Sequence, residues 1–214
     1  ASVAGLHEMI NAGKFGKLKI SYGYCCKPRG GIGFKSPSAP PAHLDWNLWR
    51  GPAVIDTYHD NYVHYNWHWF WETGNGDTGN QGVHEMDVAR WAIKGATMPK
   101  SVWSIGGRFG YKDQGETPNT QMAVYEYDEA ILLFETRGLV GKHGIPRVVK
   151  NEYYTTEGKI TGGKFYPKNG GKAIGLDNLG GEVRPGGPFG NFIDCVRSRK
   201  RDHLNSDVVE GHYS

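Results

Sequence analysis

Gln121-Met122-Ala123-Val124-Tyr125-Glu126-Tyr127 and Ala130-Ile131-Leu132-Leu133-Phe134-Glu135-Thr136, parted only by Asp128-Glu129, read as the two strands of a hairpin. The break has the length that hairpins prefer, although it lacks the usual glycine. Residues 101–108 before this pair and 148–156 after it are strand-like as well, and residues 159–166 add one or two short strands. Upstream, residues 17–26 alternate, with Leu18, Ile20, Tyr22 and Tyr24 on one face, the pattern of a half-buried strand. Between these strands lies the clearest helix, residues 78–93, where Val83, Met86, Asp87, Arg90 and Trp91 recur at helical spacing and Gly95 follows the end. Leu6, Met9 and Ile10 mark a first helix over residues 1–12, stopped by Gly13. Asp45 caps a helical turn that Gly51-Pro52 closes. Gly186-Gly187-Pro188 opens a late helix with Phe189, Phe192, Ile193 and Val196 on one side, and residues 207–213 begin another. Helix and strand, a helical block, a run of strands, then helix: the order implies α+β with a mostly antiparallel sheet.

Composition narrows the function classes. Counting glycine and leaving out tyrosine, about 47% of the 214 residues are apolar, inside the ordinary globular range of about 45–50%. A chain of this length buries roughly 70% of its unfolded surface and needs no staples. Lys+Arg 25 against Asp+Glu 22 leaves a net charge of +3, too near neutral for a nucleic-acid footprint. The tract Arg197-Ser198-Arg199-Lys200-Arg201 reads as a solvated helix end, where cations suit the helix dipole. No run approaches the roughly 20 apolar residues that cross a bilayer, so no membrane partner is expected. Residues 1–11 lack the features of a signal peptide, and the odd cysteine count (Cys25, Cys26, Cys195) implies no disulfide framework. Reduced thiols in a cytoplasmic protein are the plain reading. The chain starts without an initiator Met, which implies processing or a piece of something longer.

Three features could carry chemistry. Residues 62–72 hold six aromatics in eleven positions, with His64, Asn66, His68 and Glu72 interleaved at period two. Tyr and Trp present amphipathic surfaces suited to the apolar face of a sugar ring, and His and Asn reach its hydroxyls; alternatively, the aromatics pack the core. Next, the glycine-rich stretch 74–82 leads into the main helix, so its backbone can approach a ligand closely. Asn80 and His84 stand four apart there, on one face, and an imidazole can exchange the proton of a hydroxyl under oxidation. A histidine at a helix start can equally be structural. Metal is not expected: no CxxC or HExxH occurs, and a strand would hold His64 and His68 too far apart. Nor is Gly30-Gly31-Ile32-Gly33 a dinucleotide cradle, since it departs from GxGxxG and Pro37, Pro40 and Pro41 forbid the helix required next.

Several blocks are similar to a known family. Leu6-His7-Glu8-Met9-Ile10 with Gly13-Lys14-Phe15-Gly16-Lys17 resembles the junction between the two domains of the glucose–fructose oxidoreductase and inositol dehydrogenase family (Gfo/Idh/MocA). Asp45-Trp46-Asn47-Leu48-Trp49-Arg50-Gly51-Pro52, Asn66-Trp67-His68-Trp69-Phe70-Trp71 and Gly79-Asn80-Gln81-Gly82-Val83-His84-Glu85-Met86-Asp87-Val88-Ala89-Arg90-Trp91 look like stretches of one of its bacterial branches. Asn205-Ser206-Asp207 and Glu210-Gly211-His212 resemble the segment entering the family's closing helix.

The resemblance implies an open, mostly antiparallel sheet with helices on one face. Residues 1–16 would be the end of a Rossmann-domain helix and the junction, and 17–214 a substrate-binding and oligomerisation domain with its last helix truncated. It further implies that NAD or NADP binds in an N-terminal Rossmann domain, where a Glu-Lys-Pro motif carries the catalytic Lys; neither is present here. The whole enzyme would act on a sugar or polyol hydroxyl, and this piece alone would be inactive. His84 matches the family's second-domain histidine as acid/base, whereas Asn80 stands where the family has Asp. A neutral amide is no base, so Asn80 would orient substrate, with Asp77 an alternative carboxylate. Tyr65, Trp67, His68 and Trp69 would line the pocket, and Lys27 and Arg29 fall where the branch places basic residues near it. A homo-oligomer, dimer or tetramer through the sheet, is implied too. Two alternatives stand beside this reading: an NAD-dependent glycoside hydrolase of the same fold, and a non-catalytic carbohydrate-binding or scaffolding module.

Overall fold

The computed structural model describes residues 3–140, 146–176 and 186–214. Among them an eight-stranded sheet runs in the order β2-β3-β4-β1-β5-β6-β7-β8. Its strands are β1 (Leu18–Cys26), β2 (Ser101–Gly107), β3 (Thr120–Glu126), β4 (Ile131–Arg137), β5 (Val148–Thr155), β6 (Gly158–Thr161), β7 (Lys164–Pro167) and β8 (Ile174–Gly175). Only the β1–β4 pair is parallel; the other neighbours are antiparallel. The architecture is therefore the α+β class read from the sequence. The β3–β4 hairpin forms as expected, closed by the Tyr127 N–H donating to the Ala130 carbonyl at 3.0 Å. The register Ala123↔Phe134 and Gly23↔Phe134 then aligns β3, β4 and β1 around one buried ring.

The central strand buries the face opposite to the one its aromatics suggested. Leu18, Ile20, Tyr22 and Tyr24 are half-buried, whereas Ser21, Gly23 and Cys25 are fully buried. The reason is helix α4 (Gly82–Trp91), which lies against these small residues. Ser21 Oγ donates to the Ala89 carbonyl at 2.7 Å, and Asn151 Nδ2 donates to the Glu85 carbonyl at 2.7 Å. A Cβ on Gly23 would stand 3.0 Å from Glu85 Cβ. Around this contact Cys25, Ala89, Ile93, Leu132 and Phe134 form one core. A second core gathers Ile10, Phe15, Ala92, Tyr153, Ile160, Phe165 and Leu176 beneath α1 (Val3–Asn11). The first two positions of the helix expected over residues 1–12 lie outside the described residues.

Two further expectations are corrected. Residues 78–93 form two helices, α3 (Gly76–Asn80) and α4, jointed at Gln81. Glycines at 79 and 82 lower helix propensity across the joint. They also leave room for the Asn75 side chain and the Phe134 ring, which a Cβ at either position would overlap. Residues 62–72 form no strand either; Asn66–Trp69 is a 3-10 turn. Its polar backbone is satisfied by other partners: Thr73 Oγ1 donates to the Trp67 carbonyl, and the N–H groups of Glu116 and Thr117 reach the Trp69 carbonyl. Burial consequently does not alternate. His68, Trp69 and Phe70 are buried in succession, while Trp67 and Trp71 on either side are exposed.

Asp45 does cap α2 (Trp46–Arg50), accepting from the Leu48 N–H. Toward the C-terminus come α5 (Gly187–Ser198) and α6 (Val208–Tyr213), the latter capped by Asp207. Buried Arg90 ties α6 to α4 through the Glu210 carboxylate at 3.0 Å. No described helix is long and apolar enough to cross a membrane.

Substituting Gly23→Val should lower the denaturant midpoint by an amount equivalent to about 1–3 kcal/mol with an unchanged m value, because the new methyls meet the α4 backbone. His7 supplies a pH test: it is 4% exposed, its Nε2 lies 2.7 Å from the Tyr153 hydroxyl, and burial pushes its pKa from 6.5 down to about 4. The unfolded chain binds this proton more readily, so stability should rise with pH between about 4 and 6.5 and level off above. Urea unfolding of wild type and His7→Gln across that window should show a difference that changes by about 2–3 kcal/mol.

Candidate functional site

The loop leaving β1 and the start of α3 meet in a buried ion pair. Arg29 Nε and Nη2 donate to the two Asp77 carboxylate oxygens at 2.8 and 2.6 Å. The Asp77 side chain is 1% exposed and that of Arg29 14%. Gly76 makes this possible: its φ of 69° favours glycine, and a Cβ there would press on Thr117. Arg29 Nη1 also donates to the Tyr65 hydroxyl at 3.2 Å, which anchors an otherwise exposed ring. Asn80 Nδ2 approaches Asp77 Oδ1 at 3.5 Å, a marginal contact. Next to this set, Lys27 Nζ donates to Gln81 Oε1, and Gln81 Nε2 donates to both Glu85 oxygens at 3.3 and 3.1 Å. The structure thus gathers Lys27, Arg29, Tyr65, Asp77 and Asn80 around the α3–α4 joint. Gln81 and Glu85 belong to the same network and were missed, although their i, i+4 spacing was a readable signal.

His68 borders the ion pair. Its Nδ1–H donates to the Tyr65 carbonyl at 2.7 Å, which sets the tautomer and leaves Nε2 a buried acceptor with no partner among the described residues. Burial pushes its pKa below the ordinary histidine value, so the ring stays neutral. Trp69 is buried under the Arg108 guanidinium, which sits 4.7 Å from its ring centre and is itself held by Asp113 at 2.7 Å. Arg108 was missed as well: Asp113 lies five residues along the same loop, but the Trp69 ring beneath it comes from a distant segment.

His84 stands apart from these groups. On the first turn of α4 it is exposed, and its imidazole makes no hydrogen bond with the described residues. It opens onto a cavity of about 1270 Å³ shared with Asp87, Trp91, Arg199, Lys200 and Asn205. Trp67 opens onto a different cavity, and the two share no lining residue. Spacing alone placed Asn80 and His84 on one helix face; the joint at Gln81 instead puts them on two helices. Among the described residues no group of three His, Cys, Asp or Glu could hold a metal ion.

No curated protein matches the sequence. Solved structures do, at low identity. The WlbA dehydrogenase from Bordetella pertussis, in complex with NADH and UDP-GlcNAcA, is 14% identical; the match covers 100% of this chain and 55% of that one, with a TM-score of 0.60. An oxidoreductase from Thermotoga maritima is 12% identical, with 98% and 53% covered and a TM-score of 0.56. An oxidoreductase from Agrobacterium radiobacter, in complex with NAD+, L-tartaric acid and magnesium, is 11% identical, with 98% and 56% covered and a TM-score of 0.56. These likenesses show the fold, and the chain spans about half the length of each of them. The GFO/IDH/MocA C-terminal domain model matches residues 3–161, and the chain belongs to that family.

Proposed function

We propose that this chain is the substrate-binding half of an NAD(P)-dependent oxidoreductase acting on a sugar or polyol hydroxyl. The observation that carries the reading is the α3–α4 joint. A buried Arg29–Asp77 pair fixes α3 and Asn80 in place, and the next helix presents His84 uncommitted over a large cavity. Family membership supports the reaction class. The sugar nucleotide and NADH in the WlbA dehydrogenase complex support the choice of substrate and cofactor.

The described residues do not fit a dinucleotide cradle: Gly74-Asn75-Gly76-Asp77-Thr78-Gly79 spells the G-x-G-x-x-G pattern, but it follows a 3-10 turn rather than a strand and opens a helix of only 5 residues. Gly30-Gly31-Ile32-Gly33 leaves β1 into an extended loop, with no helix N-terminus before α2. The nucleotide would be held by residues outside this set, and the redox chemistry belongs to its nicotinamide. What this chain contributes is orientation and proton handling. The Asn80 amide can donate to and accept from a substrate hydroxyl. The His84 imidazole can take the proton of the hydroxyl that becomes a carbonyl, or return it in the reverse direction. Asp77 is a positioning group: both its oxygens are engaged by Arg29. The sheet face opposite α4 supports pairing with a second copy. It carries Tyr22, Tyr24, Glu135 and Glu152, and on the same face the edge strand β2 exposes Trp103 and Ile105.

The test is the intact gene product, assayed for nicotinamide reduction against a panel of sugars and polyols. His84→Gln should lower kcat by about 10²–10⁴ with unchanged thermal stability; full activity in this variant would remove His84 from the chemistry. Stability should respond in the opposite way to Asp77. Asp77→Asn or Arg29→Met should each cost about 3–5 kcal/mol in urea unfolding, since each strands a buried charge or donor, and the double variant should cost less than the sum.

A further inference from the structure

A second cavity, of about 530 Å³, opens between α2 and the aromatic segment and is lined by Trp49, Arg50, His64, Trp67 and Glu72 together with Pro52, Ala53 and Thr73. It shares no residue with the His84 cavity or with the Arg29–Asp77 network. Part of its wall is held by contacts with the surrounding structure. Trp49 stacks on Trp46 with ring centres 5.1 Å apart and planes 14° apart, and Trp46 packs in turn against Tyr58 and Tyr62. Arg50 is pinned by the Asn47 side-chain oxygen, at 3.3 Å to Nε and 3.1 Å to Nη2, and its Nη1 donates to the Ile55 carbonyl at 3.2 Å. The Trp67 backbone is held by Thr73 Oγ1 at 2.5 Å, while the residue remains 37% exposed. By contrast, His64 and Glu72 are exposed and make no side-chain hydrogen bond or ion pair with the described residues.

The geometry points to a binding site for a neutral pyranose ring, separate from the reaction centre assigned to His84. A sugar ring combines an apolar face with a rim of hydroxyls, each both donor and acceptor. Two indoles suit the first feature. The second needs donors and acceptors around one concavity: the Arg50 guanidinium donates, a carboxylate such as Glu72 accepts, and an imidazole such as His64 carries two ring nitrogens that can serve as donor and acceptor. The charges decide between ligand classes. A quaternary or ammonium cation would favour the indoles and Glu72, but it would meet the fixed Arg50 charge. A uronate or sugar phosphate would pair with Arg50, but it would meet Glu72. A neutral polyhydroxylated ring uses all five groups without repulsion. The volume falls within the range of about 300–1,000 Å³ usual for small-molecule sites. Such a site would hold a sugar unit beyond the one undergoing chemistry and bias the protein toward glycosides.

The experiment uses this chain with methyl β-D-glucopyranoside, methyl α-D-mannopyranoside and cellobiose as probes, read by saturation-transfer NMR and tryptophan fluorescence. At least one probe should bind. Trp67→Ala and Glu72→Gln should each weaken it at least tenfold, whereas Trp71→Ala, an exposed indole outside the cavity, and His84→Gln should leave it unchanged. Glu72 makes no contact that the fold needs, so E72Q decides the matter even where W67A fails to fold. The proposal is overturned by the absence of saturation transfer to all three probes, by binding that E72Q does not weaken, or by preferential binding of tetramethylammonium. Loss of binding in His84→Gln alone would place the sugar in the reaction cavity and overturn the separate site while sparing the proposed function.

Discussion

Helix α4 can lie against β1 only because Ser21, Gly23 and Cys25 leave its backbone room to approach. That contact places the start of α4, and with it Gln81 and His84, at a fixed height over the sheet. Ser21 and Asn151 then satisfy carbonyls of the helix from below, at Ala89 and Glu85. The fully buried Ser21 hydroxyl thereby gains an acceptor, without which its burial would cost free energy. The sheet therefore holds the helix by shape and by hydrogen bonds together, and the core around Phe134 forms at the same contact.

On this platform the site is built from charge. Asp77 is almost wholly buried, a position that a carboxylate holds only when its charge is answered. Arg29 answers it with two hydrogen bonds, and the guanidinium fork suits a planar carboxylate better than a lysine would. A further consequence is geometric. Arg29 belongs to the loop after β1 and Tyr65 to the aromatic segment, so one side chain ties two stretches of chain to the joint between α3 and α4. Buried ion pairs seldom add stability relative to apolar groups; what this pair supplies is position.

The aromatic segment divides its labour. His68, Trp69 and Phe70 pack inward, while Tyr65, Trp67 and Trp71 stay exposed. Arg108, which rests on Trp69 and is held by Asp113, closes the inner part of this cluster. An alternating strand would have turned every second residue to one side. A 3-10 turn instead lets three consecutive side chains enter the core and presents its remaining rings to two different surroundings.

Local chemistry determined much of this protein. The β3–β4 hairpin, the Asp45 and Asp207 caps, the late helix and the α+β class follow from periodicity and from polar side chains that bond their own backbone. Of the residues that the family resemblance marked, Lys27, Arg29, Tyr65, Asp77 and Asn80 lie together around the joint. Tertiary structure alone decided the rest. Which face of β1 is buried depends on how closely a helix can approach, and small residues permit an approach that bulky ones prevent. The break at Gln81 and the turn at 66–69 depend on partners distant in sequence: Phe134 filling the space at Gly82, and the N–H groups of Glu116 and Thr117 reaching Trp69. Whether a side chain such as Trp67 or His84 opens onto one cavity or another is likewise set by distant segments, because a cavity is the space that several of them leave between themselves.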